Sequence, residues 1–259
     1  MRPILPIALV VVVAASLARP AAGQTLVFSD GFEFGDTCLW SSTVGSTGSC
    51  VPPAVTVTDI QTGGVSGPVA LSGVILTARS ADGRQYWIAD DPFAAPWQGV
   101  YVDRGSGASP LGAEFAPGAV VDLTGYAIEY DPVPPGDTLT EVLSGDPMLT
   151  GTDVVIPLAG LPLSVLGSIA EGEPLEGVVV EIADVSVVAV DTGDRLTLSD
   201  GSGILEMDDA AFDYSSATYP VGTCFATVVG VSHLDPVADR RQILPRGAAD
   251  LVLGGGCLP

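Results

Sequence analysis

The chain has 259 residues, 47% of them hydrophobic and only 15% charged, and its 31 acidic side chains outnumber nine arginines to give a formal net charge of -22 with no lysine. Such a surface repels phosphate backbones, whose affinity for proteins comes from cationic side chains that release counterions, so nucleic acid is disfavoured as a partner. Asparagine is absent, which removes any N-glycosylation sequon, and the abundance of Val, Thr, Gly, Pro and Asp without long helix-forming patterns points to β-structure.

Residues 1–23 read as a secretory signal peptide: Met1 and Arg2, the apolar run "ILPIALVVVVAASLA", then the small-residue stretch "PAAG". The run is too short to favour a membrane span, and no later segment is continuously apolar for the length a bilayer needs. The mature chain is expected to begin near Gln24, where no cysteine stands to carry a lipid anchor, and loss of Arg2 and Arg19 leaves it at -24. A secreted or periplasmic bacterial protein is implied. Residues 24–53 form a leader rich in Gly, Ser, Thr and Asp that ends at Pro52-Pro53. Four cysteines in an exported chain suggest two disulfides among three possible connectivities. The expected pairs are Cys38–Cys50, closing a short N-terminal loop, and Cys224–Cys257, tying the C-terminal tail to a strand.

Past the leader the sequence repeats itself. "VALSGVILTA" answers to "EPLEGVVVEI", "GVYVD" to "GILEMD", and "FAPGAVVDLTGYAIEYDP" to "TYPVGTCFATVVGVSHLDP". Gly73 and Gly177, Gly99 and Gly203, and Gly118 and Gly222 are each 104 positions apart, while Gly125 and Gly230 slip by one. Two homologous domains are expected, residues 54–150 and 151–259. In each, a long β-branched strand leads through an Asp/Gly turn to a short strand ("QYWIA"; "LTLS") and then another ("GVYV"; "GILEM"). An irregular connection follows, then a long strand ("AVVDLTGYAIEY"; "CFATVVGVSHL") and a closing one ("TLTEVL"; "RQILP" with "ADLVL"). Partial alternation suits strands with one wet face, and no amphipathic segment is long enough for a parallel βαβ crossover. The fold class is therefore all-β: two tandem OB-like Greek-key β-barrels after a signal peptide and a short tether. A seven-stranded sandwich fits less well, because each unit shows five or six strand signals.

Two stretches resemble known families. "FSDGFEFGDTCLWS" resembles the DGFESGD leader segment of exported bacterial proteins. "VTVTDIQTGG", "VALSGVILTA", "PGAVVDLTGYAIEY" and "IPLAGLPLSVLGSIAEGEPLEGVVVEI" resemble the OB-type accessory domains of secreted bacterial extracellular endonucleases. In that family a separate metal-dependent phosphodiesterase domain supplies His, Asp, Asn and Glu ligands. This sequence reaches Pro259 without such a domain, and with one histidine and no asparagine it does not provide that ligand set. The resemblance implies the non-catalytic part.

Candidate sites are few. His233, near Cys224, aligns with Glu129 on the Asp-Pro pairs and reads as a strand residue. The aromatic residues Tyr86, Trp87, Trp97 and Tyr101 cluster in the first unit on strands two and three and their connection, the surface on which OB barrels take ligands. With so few cations, stacking on a glycan or a peptide is favoured over single-stranded DNA. Asp191, Asp194 and Asp200 lie in acidic turns that offer hard oxygen ligands for Ca²⁺ but lack EF-hand spacing; solvated turns are the plainer reading, and no other cofactor is indicated. The function expected is a secreted, non-enzymatic binding or interaction module for an extracellular glycan or protein ligand. Its alternatives are an accessory partner of a separately encoded secreted nuclease and a metal-dependent hydrolase using the acidic turns.

Overall fold

The long strands bend, and their bends close the sheets. The computed structural model describes residues 51–132, 134, 137–254 and 256–257; the expected signal peptide, most of the expected leader and the expected Cys38–Cys50 pair lie outside the described residues. The first sheet comprises β1 (Gly67–Arg79), β2 (Gln85–Ala89), β3 (Gly99–Asp103), β4 (Ala119–Tyr130), β5 (Leu139–Ser144) and β6 (Met148–Thr152). Its order is β1-β2-β3-β5-β4, and β4 pairs back onto β1, so five strands form a closed barrel with β6 added beyond β4. The second sheet comprises β7 (Leu158–Ala159), β8 (Val179–Val190), β9 (Leu196–Ser199), β10 (Ile204–Met207), β11 (Cys224–Asp235), β12 (Arg240–Leu244) and β13 (Leu251–Leu253). It repeats the order as β8-β9-β10-β12-β11, closed by β11 on β8. β3–β5 and β10–β12 are parallel and the remaining barrel pairs antiparallel. This is the five-stranded OB arrangement twice over, and closure leaves few open edges.

β1 serves two neighbours because Gly73, at φ 68, makes a bulge between Leu71 and Val74. Its first half pairs mainly with β4 and its second half with β2. Asp184, at φ 52, lies between the corresponding pairs of β8. Inward residues such as Leu71, Ile88, Val102 and Val121 fill the first barrel, and Val187, Leu198, Phe225 and Ile243 the second.

One end of each barrel is filled by a short helix that the strand patterns did not announce. In α1 (Val57–Gln61) the buried residues Val57 and Ile60 join the first core; in α2 (Leu163–Leu166) Leu163 and Leu166 join the second. Spacing of three puts each pair on one helix face. The N-terminal N–H groups of both helices are met by an aspartate from the turn after the second strand. Val57 N and Thr58 N donate to Asp90 at 2.7 and 2.9 Å, and Leu163 N donates to Asp200 at 2.9 Å.

Strand pairing also refines the repeat. Gly118 and Gly222 are equivalent at 104 positions, each donating its N–H to the carbonyl of a first-strand residue, Leu76 or Val187. Asp90 and Asp200 are equivalent at 110. Five of the six positions of difference come from the connection between the second and third strands, nine residues in the first barrel (90–98) and four in the second (200–203). Gly177 has no counterpart in Gly73: it precedes β8 and meets Gly99 of the first barrel backbone to backbone.

Cys224 at the start of β11 is bonded to Cys257 in the tail, as expected, with Cα atoms 5.9 Å apart. In the chain-entropy model a bridge across 33 positions contributes about 3–4 kcal/mol. Among the described residues no helix is long and apolar enough to cross a membrane.

Candidate binding cleft between the barrels

β2 alternates, and the alternation sends its two large aromatics opposite ways. Tyr86 points into the first barrel and is fully buried in its core, whereas Trp87 points outward. Register places Tyr101 of β3 beside Trp87, and Glu141 of β5 beside Tyr101, as one outward row. The second barrel packs against this row. Its His233 ring stands 5.4 Å from Trp87, edge-on at 87°, and 5.4 Å from Tyr101, while Trp87 and Tyr101 are 5.3 Å apart. Ala78, Val179, Val231 and Leu244 complete the apolar contact between the barrels.

Beside this contact runs a cleft of about 480 Å³. Trp87, Tyr101 and His233 line it together with Gln85, the Ser80–Asp82 turn of the first barrel, and Asp209, Ala210 and Asp213 of the second. The N–H of Ala81 donates to the carbonyl of Ala210 at 2.8 Å and ties the two walls together. Burial lowers His233 to about 4, so its imidazole is neutral at pH 7.

Trp97 is not part of this cleft. It lies in the longer connection of the first barrel at φ 68, and its N–H donates to the carbonyl of Pro174. The same connection pairs Phe93 with Ile156, so these extra residues hold the entry segment of the second unit. The structure thus brings Trp87 and Tyr101 together, leaves Tyr86 in the core and sets Trp97 apart. His233, missed as a partner of the aromatics, is opposite Gln242 as Ile128 is opposite Glu141, so its equivalent is Ile128 and not Glu129.

The acidic turns are occupied by local hydrogen bonds. Asp191 accepts from the Thr197 hydroxyl at 3.2 Å, and Asp194 from the N–H and hydroxyl of Ser216 at 2.8 and 2.5 Å. Besides capping α2, Asp200 accepts from Ser202 and Gly203. Among the described residues no three His, Cys, Asp or Glu side chains are gathered as metal ligands.

The seven arginines among the described residues are engaged too. Arg84 pairs with Asp82, Arg104 with Asp146, Arg195 and Arg240 with Glu206, and Arg246 with Asp250. Arg79 donates to the carbonyls of Leu111 and Gly112. Arg241, its side chain fully buried, joins Glu173 and the equally buried Glu176, whose other oxygen accepts from Thr140 N of β5 at 2.9 Å. That cluster bridges the barrels.

Glu141, 6% exposed, has neither an ion pair nor a side-chain hydrogen bond among the described residues, and burial, with Asp103 adding to it, pushes its carboxyl up to about 7. A carboxyl raised in the fold stabilises it fully below the unfolded value near 4.5, and this contribution is lost as pH rises through about 7. Glu141→Gln is therefore expected to be more stable than the parent at pH 8 and equal to it at pH 4, as read from urea unfolding at both values.

Fold and cleft together define a tandem OB-barrel protein with its aromatic face turned inward between the barrels. No protein-family model matches the chain, and no curated protein matches it. Among solved structures, a deletion mutant of the single-stranded DNA binding protein from Thermus aquaticus is similar at 15% identity, over 74% of this chain and 96% of that one, with a TM-score of 0.23.

Proposed function

We propose that the protein is a secreted, non-catalytic binding module that takes a glycan or peptide in the cleft between its barrels. The observation that carries this reading is the convergence of Trp87 and Tyr101 from one barrel and His233 from the other on a single cleft. OB barrels take ligands on the face of strands two and three, and here that face of the first barrel forms one wall. Aromatic rings beside polar side chains suit sugars and peptides. Commitment of the arginines to carboxylates and carbonyls speaks against phosphate backbones, since few donors remain to release counterions. The acidic turns cap helices and close loops, which speaks against a hydrolase built from them. Resemblance to nuclease accessory domains supports a second reading, a partner of a separately encoded secreted nuclease, and co-purification from a native secretome tests it.

The test of the main reading is a glycan and peptide array probed with the purified protein and with Tyr101→Ala and Tyr101→Phe. Loss of signal in the alanine variant and its retention in the phenylalanine variant is the expected result. No signal from the parent, or equal signal from all three with matched melting temperatures, would remove the cleft from the account.

A further inference from the structure

Resting on the cleft as the binding site, we propose that its occupant is a basic side chain of a peptide segment, a guanidinium or ammonium group held between the acidic wall and the aromatic rings. Asp209 and Asp213, in the connection from β10 to β11, line the cleft. Among the described residues neither side chain is in an ion pair or accepts a hydrogen bond from a neighbouring residue. The Asp209 carboxyl is raised by its burial and then by Asp208, against the pull of a hydrogen bond from its own backbone N–H, with Asp194 and Asp213 adding to the repulsion and no arginine acting on it. An incoming cation relieves that repulsion.

The rings opposite suit the same guest. A cation is attracted to an aromatic face within about 6 Å of its centroid, and guanidinium groups also stack on it. Tyr101 is accessible in the cleft wall, and the neutral imidazole of His233 places no positive charge beside it. On the rim Asp82 is already paired with Arg84, which leaves Asp209 and Asp213 as the carboxylates open to a visitor.

A peptide, not a free polyamine, is favoured by the polar wall beside the carboxylates. Gln85 lines the cleft, and its side-chain amide is in no hydrogen bond among the described residues. A side-chain amide both donates and accepts, which matches the N–H and carbonyl of a peptide backbone and not the amines of a polyamine alone. The negative field of the whole molecule draws such a ligand in from a distance.

The experiment is a calorimetric titration of the purified protein at 0.15 M salt with four probes: acetyl-Gly-Arg-Gly-amide, its citrulline analogue, spermidine, and a neutral trisaccharide of N-acetylglucosamine. The arginine peptide is expected to bind at least about tenfold more tightly than the citrulline peptide, the scale of one hydrogen bond to a charged group. In the Asp209→Asn/Asp213→Asn variant, folded by its melting curve, that advantage should vanish while any citrulline binding persists. Citrulline or trisaccharide binding as tight as arginine would overturn the cationic guest and leave the cleft reading standing. Spermidine binding as tightly as the arginine peptide would overturn the peptide. An arginine preference that survives both asparagine substitutions would mean diffuse surface attraction and would overturn the proposal. Failure of all four probes would count against the cleft itself.

Discussion

Replacing Arg241 by alanine is expected to lower the unfolding free energy by about 3–5 kcal/mol, because it strands the buried Glu176 carboxyl that the guanidinium holds. Arg241 stands between Glu173 and Glu176, and the Glu176 side chain is as inaccessible as that of its partner. Burial pushes the Glu176 carboxyl up against the opposing pull of Arg241. Without the arginine nothing offsets that desolvation except the Thr140 N–H. Because Thr140 belongs to the first barrel and Arg241 to the second, the loss should fall on their coupling, and urea unfolding followed at several wavelengths should change from one transition to two. The companion variant Arg241→Met/Glu176→Gln carries no stranded charge at Glu176 and should recover a large part of the stability. A loss below about 1 kcal/mol for Arg241→Ala would show that the cluster relaxes into water, as exposed pairs do.

Gly177→Ala is expected to cost about 2–5 kcal/mol, combining the penalty for a side chain in left-handed backbone with that for overpacking. Gly177 has φ +72, and an added Cβ would fall 2.6 Å from the carbonyl carbon of Gly99 and from Val100 N. Gly99→Ala should be damaging for the reciprocal reason, since its Cβ would overlap the Gly177 carbonyl. Gly63→Ala is the control: φ is +73 there, but nothing lies within 4 Å of the added atom. It should show the left-handed penalty alone. Midpoints of denaturant unfolding for the three variants separate the two contributions; equal losses at Gly63 and Gly177 would mean that the backbone contact between barrels yields freely.

The barrels were legible in the sequence because each strand carries its own signal: alternation, β-branching and a polar turn at both ends. Cys224–Cys257 was legible from the cysteine count read beside a signal-like N-terminus. The cleft was not. Whether Tyr86 or Trp87 faces outward is a matter of parity along β2, and local sequence looks the same for either register. Contact between Trp87 and His233 joins residues on separate barrels, so no local pattern contains it. α1 and α2 are four or five residues long, too short for helical periodicity to register. The cap aspartates did leave a trace, in the parallel "IAD" and "LSD" endings of the second strands, but a fixed spacing of 104 hid it. Alignment on strand endings would have paired Asp90 with Asp200 and given both a structural duty before any thought of calcium.

The meeting of Gly99 with Gly177 also bears on the kinetics of capture. With the Ala81–Ala210 hydrogen bond and the Arg241–Glu176–Thr140 cluster, that contact ties the barrels at three places, so the walls of the cleft are not expected to swing together over a guest as a hinged clamp does. A slot held open in this way receives its occupant ready-made: little ordering accompanies association, and the observed rate should rise in proportion to ligand concentration without the plateau that a closing step imposes.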